Sequence, residues 1–111
     1  MIFADFFGPT ALYAEARPAL EASIAQALKA RPEDVVVRRI QVDSQYSGAE
    51  VWVELSSEEQ IARHGRDLAR DITEALRPHH AGDVWVLFRI VPLAHVYLNG
   101  EPRRRGAATL D

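Results

Sequence analysis

The side chains in this sequence best suited to chemistry on a small ligand are arginines. Arg38 and Arg39 are neighbours within the apolar run Val35–Val42, and Arg89 interrupts the run Val84–Val91. A guanidinium offers a rigid fork of donors that grips a carboxylate through two parallel hydrogen bonds. Each arginine is therefore a candidate clamp for an acidic ligand. Each also has a plainer role, as an ion pair between subunits for Arg38 and Arg39 and as a paired charge on an apolar face for Arg89. Arg39, nearer the end of its run and the loop that follows, is the preferred clamp. His95 follows Pro92-Leu93-Ala94 and suits either acid–base work or a surface or interface position.

Other chemistries find no support. His79-His80 are adjacent in a turn without a carboxylate cluster, a poor ligand set for a metal. Six dispersed glycines form no phosphate loop, and no nucleophile elbow is present. No metal and no cofactor are expected. There is no cysteine, so disulfide and thiolate chemistry are excluded. The formal net charge of −3 argues against a nucleic-acid binder. The run Arg103-Arg104-Arg105 reads as part of a flexible basic tail over residues 103–111, with contact to anionic partners as the other reading. No apolar run reaches the roughly 18 residues that cross a bilayer. Met1-Ile2-Phe3-Ala4-Asp5 lacks the basic start of a signal peptide. A cytoplasmic location is expected.

The elements that position these residues repeat. Ile2–Phe7 is an apolar run stopped by Gly8-Pro9, a strand. Thr10–Ala30 is rich in helix formers, and Pro18 predicts a short first turn before Arg17 and then a main helix with Pro18 in its opening turn. Leu20, Ile24 and Leu28 form its apolar stripe. Val35–Val42 is a β-branched strand. Ala49–Leu55 alternates apolar and polar residues, a second unit's first strand. Ser57-x-x-Gln60 is a capping box that starts a second helix, with Ile61, Leu68, Ile72 and Leu76 as its buried stripe and Arg63/Asp67 and Arg70/Glu74 as pairs on the far side. Val84–Val91 closes the second unit, and Asn99-Gly100 marks a tight hairpin turn.

Two strand–helix–strand units predict an α+β domain over residues 1–102, a four-stranded mixed sheet with both helices on one face. Val84, Val86, Phe88 and Ile90 alternate with Trp85, Leu87 and Val91, so the last strand is apolar on both faces. Two helices cover only one face. The other would expose a large apolar patch, so an oligomer is expected.

This arrangement resembles the tautomerase superfamily, the family of macrophage migration inhibitory factor, and within it a small bacterial branch of unassigned function. The residues that carry the closer likeness are Asp43-Ser44-Gln45-Tyr46, Val51-Trp52-Val53-Glu54, Val86–Pro92 and Tyr97-Leu98-Asn99-Gly100. The resemblance implies that three chains close around an axis, a homotrimer. It implies an acidic substrate held by arginine, and a pocket in which Tyr46 and Tyr97 stand near the N-terminus. Their plainer role is packing with the hydroxyl at the rim. Enzymes of this family use an amino-terminal proline as base. Here Met1 precedes Ile2, and a bulky second residue is expected to keep Met1 in place. The resemblance then implies a trimer without efficient tautomerase activity that holds a small carboxylate ligand. The alternative is a weak isomerase of 2-oxo or unsaturated acids, with the Met1 amine or a side chain as base.

Overall fold

A computed structural model describes residues 1–43 and 47–102 of the chain. Tyr46 and the tail 103–111 lie outside the described residues. The main sheet is built from β1 (Ile2–Phe7), β2 (Val35–Ile40), β3 (Ala49–Leu55) and β4 (Val84–Ile90), in the order β2-β1-β3-β4. β1 runs parallel to β2, β3 runs parallel to β4, and the two units meet antiparallel at β1 and β3. α1 (Thr10–Ala27) and α2 (Glu58–Leu76) make the crossovers, and both pack on one face. Among the described residues no helix is long and apolar enough to cross a membrane.

The core lies between that face and the helices. Ala4, Phe6, Val51 and Val53 meet Leu20, Ile24, Leu68 and Ile72, all with 0 % exposure. β3 buries every second residue, as its alternation predicts. Phe6 stacks at a tilt on Tyr13, 5.6 Å between ring centres, and the Tyr13 hydroxyl donates to the Val37 carbonyl.

One helix differs from its expected form. α1 is continuous from Thr10 to Ala27 with Pro18 in its interior rather than in an opening turn. Leu12, Ala16, Leu20 and Ile24 are all buried four apart, so the apolar stripe runs straight through the proline. Pro18 is exposed, which leaves the helix carbonyl it cannot bond open to water. α1 ends with Lys29 at φ 55°, and the Ala30 N–H bonds the Ala25 carbonyl at 2.8 Å, the closure made by a left-handed residue just past a helix. Arg31 bonds Asp34 in the turn before β2, and that hydrogen bond holds the Asp34 carboxyl below its usual range. On α2, Arg63 pairs with Glu59 and Arg70 with Asp67 and Asp71, rather than Arg63 with Asp67 and Arg70 with Glu74.

Past β4, a 3₁₀ turn at Leu93–His95 leads into a hairpin of β5 (Tyr97–Leu98) and β6 (Glu101–Pro102). Asn99 and Gly100 both have positive φ, 54° and 82°, the backbone of a two-residue hairpin turn. Tyr97 and Leu98 are 63 % and 54 % exposed, so the hairpin stands off the domain. Gly100→Val is expected to weaken this turn by roughly 1–2 kcal/mol, since a side chain is strained at that φ. Loss of cross-strand NMR contacts between Leu98 and Glu101, with the main sheet intact, is the expected reading.

Candidate functional site

The antiparallel pairing of β1 and β3 sets the head of β1 beside the end of β3, and the parallel β4 ends there too. The chain turns at Ser56 into α2, and the segment after β4 folds back across the same corner. The result is a cavity of about 310 Å³ whose wall includes Met1, Phe3, Glu54, Gln60, His95 and Tyr97, with Leu28, Leu55 and Leu93 among its apolar members. Its chemistry is mixed: an apolar floor and a few polar groups, the usual character of a small-molecule site.

The first turn of α2 forms one wall. Ser57 caps the helix, its Oγ accepting the Gln60 N–H at 3.2 Å. Gln60 reaches back in turn, and its Oε1 accepts the Ser56 N–H at 2.8 Å and the Ser56 hydroxyl at 2.9 Å. This is the capping box read from spacing, displaced by one residue at its return bond.

Beside the cavity, on the helix-free face, four charges interlock. Arg38 Nε lies 2.9 Å from Asp5, Arg89 Nη1 lies 3.2 Å from Glu54 and 3.5 Å from Asp5, and Arg38 Nη2 lies 3.9 Å from Glu54. Cross-strand register explains the set: Asp5 is opposite Arg38, and Glu54 is opposite Arg89. Asp5 is 7 % exposed. Arg38 lies over the Phe3 ring and Arg89 over the Trp52 ring, 5.0 and 5.2 Å from the centroids, so aromatic faces support both cations. Phe3 and Glu54 belong to both the cavity wall and this network.

Of the residues singled out from sequence, Met1, His95 and Tyr97 come together in the cavity wall. Arg38 and Arg89 stand together in the network next to it. Arg39 does not join them. It lies on the opposite sheet side, at the level of Phe6, about 13 Å along the strand direction from the head of β1. Its Nε is buried without a hydrogen-bond partner. Among the described residues no group of three or more His, Cys, Asp or Glu is placed to hold a metal. His79 instead meets Glu15 of α1, Nδ1 to carboxylate 3.0 Å. Asp5, Glu54 and Gln60 were not candidates from sequence. The signal for the first was an acid inside an otherwise apolar strand, and for Glu54 a charge in register with Arg89.

No family model matches the sequence, and no curated protein does. Solved structures do match. A domain of unknown function (DUF1904) from Sebaldella termitidis is 11 % identical, with 93 % of this chain and 100 % of that one covered and a TM-score of 0.73. A macrophage migration inhibitory factor-like protein from Entamoeba histolytica is 7 % identical, covering 92 % of this chain and 98 % of that one, TM-score 0.69. A fused 4-OT described as an asymmetric trimer is 13 % identical, covering 90 % and 94 %, TM-score 0.65. With two helices on a four-stranded mixed sheet and neighbours of this kind, the fold is that of the tautomerase superfamily, in its macrophage migration inhibitory factor-like form.

Proposed function

We propose that this chain assembles as a homotrimer of the tautomerase fold and binds a small carboxylic acid, without efficient tautomerase catalysis. The observation that carries the reading is the cavity at the head of β1. It has the size and mixed lining of a small-molecule site, yet the strand position that opens onto it is Ile2, 5 % exposed and in register with Val35, rather than a proline. A general base needs both a suitable pKa and a suitable place. A base moved by even 1 Å costs on the order of 100-fold in rate. The nearest amine would be that of Met1, one residue out from Ile2, a displacement of up to about 3.5 Å.

Partly exposed Met1 in the cavity wall favours a second reading, weak isomerisation of 2-oxo or unsaturated acids by its amine. Two measurements separate them. Titration with 2-oxobutyrate, followed by NMR on residues 93–97, is expected to show saturable binding. Turnover of an enol-pyruvate substrate is expected to be near background in the native chain and to rise in Ile2→Pro. Native turnover that acetylation of the N-terminal amine abolishes, by turning the base into a non-basic amide, would establish the second reading. Turnover that survives acetylation would overturn both.

A further inference from the structure

Gln60 is 2 % exposed and belongs to the cavity wall at the first turn of α2. The orientation of its amide follows from its neighbours. The atom facing the Ser56 backbone N–H at 2.8 Å must be an acceptor, since that N–H only donates. A flipped amide would set two donors against each other. Oε1 is therefore committed to Ser56, and the amide nitrogen is turned away from it. Nε2 is buried with no hydrogen-bond partner. Buried polar atoms are nearly always paired, so an unmet donor on a residue of the cavity wall calls for an acceptor from outside the chain. The side chains of Leu28, Leu55 and Leu93 supply none.

We propose that Gln60 Nε2 is the ligand-recognition donor of this cavity, and that it takes an oxygen of a carboxylate seated there. The proposal deepens the carboxylate-binding reading and rests on it. The electrostatics agree. The N-terminus of α2 favours an anion over its first turn. Glu54, the acid in the wall, is matched by Arg89 and Arg38, so an entering carboxylate meets no unbalanced negative charge from it. Glu58 and Glu59, in the same turn, point to solvent and are exposed. The apolar lining suits a short hydrocarbon body. The ligand class that fits is a short-chain monocarboxylic acid.

Gln60→Glu is the informative variant. It keeps an acceptor for Ser56 and remains a favoured residue at this helix position, but it replaces the free donor with an oxygen. 2-Oxobutyrate is titrated into the native chain and into Gln60→Glu, with NMR on the backbone of residues 93–97 and on the Gln60 side-chain NH₂. Movement of the native Gln60 NH₂ signals together with the backbone signals is expected, as is an affinity about tenfold weaker or worse in Gln60→Glu. Equal affinity in the two chains, with backbone signals still moving, would overturn the role of Gln60 and leave the carboxylate site standing. No movement of residues 93–97 in the native chain at any soluble concentration would overturn both. If Gln60→Glu does not fold, the native NH₂ signals decide: static signals during saturation of the backbone shifts overturn the proposal, and moving ones support it.

Discussion

Trp85→Asp is expected to convert the assembly into a folded monomer. Light scattering at micromolar concentration should give three copies of the 12.4 kDa chain for the native protein and one for the variant. Trp85 is 59 % exposed in the single chain and lies on the helix-free face, with Ile40 36 % exposed on the same side. Covering that face in a trimer would bury the indole. A carboxylate there loses the apolar burial and must be desolvated, on the order of 3 kcal/mol at each of three interfaces. Because the chain's own core does not contain Trp85, circular dichroism should keep its native shape. A carboxylate buried in the chain's own core would unfold it as well as disperse the assembly, and the open position of Trp85 in the single chain removes that reason for unfolding. A monodisperse native monomer would sink the trimer.

Phe6→Ala is expected to cost about 3–5 kcal/mol of folding stability, the range for deleting a fully buried phenylalanine ring, read as a drop in the urea midpoint with an unchanged slope. Phe6 is wholly buried and touches three elements at once: it lies in β1, its ring meets Tyr13 of α1, and Tyr13 is tied to the β2 carbonyl of Val37. Gly8 keeps the position clear, since a Cβ there would stand 3.0 Å from the Phe6 ring. Phe6→Leu, which retains most of the volume, should cost much less. Equal losses for the two substitutions would show that the ring contacts do not matter.

The strand and helix plan was legible because hydrophobic period changes cleanly along this chain. Ala49–Leu55 alternates and was found residue for residue, and Ser57 announces α2 through its side chain. Pro18 misled because the local rule against interior proline is weaker than a stripe from Leu12 to Leu28 that buries one helix face. Val35–Val42 and Val84–Val91 each run past the last residue of the observed strand, since β-branched composition does not mark where pairing stops. The helix-free face was read as apolar apart from Arg89. Its charges were hidden by distance in sequence: Asp5, Arg38, Glu54 and Arg89 come from four strands, and only the register brings them together. Gln60 was visible as a capping residue, but the cavity it borders is completed by the head of β1 and the segment after β4, which lie far from it in sequence. Arg39 was preferred to Arg38 for its place nearer the strand's end, but neighbours on a strand face opposite sides, and which side meets the network is a tertiary property.

The four interlocked charges bear on how fast copies find one another. The network's two acids and two guanidiniums cancel within one chain, and Glu50, which accepts from the Trp52 indole on the same face, adds a single negative charge, so the helix-free face presents mainly short-range dipoles rather than a strong field. Long-range steering needs an unbalanced potential, which decays over about 10 Å at 0.1 M salt. Encounter between copies through this face should therefore proceed at an unsteered rate, on the order of 10⁵–10⁶ per molar per second. That rate should hardly change with ionic strength, apart from the weak mutual repulsion of chains carrying −3 each. Removing one guanidinium, as in Arg38→Gln, leaves Asp5, Glu50 and Glu54 against Arg89 alone, a net negative face on every copy, and association should then speed up as salt is added.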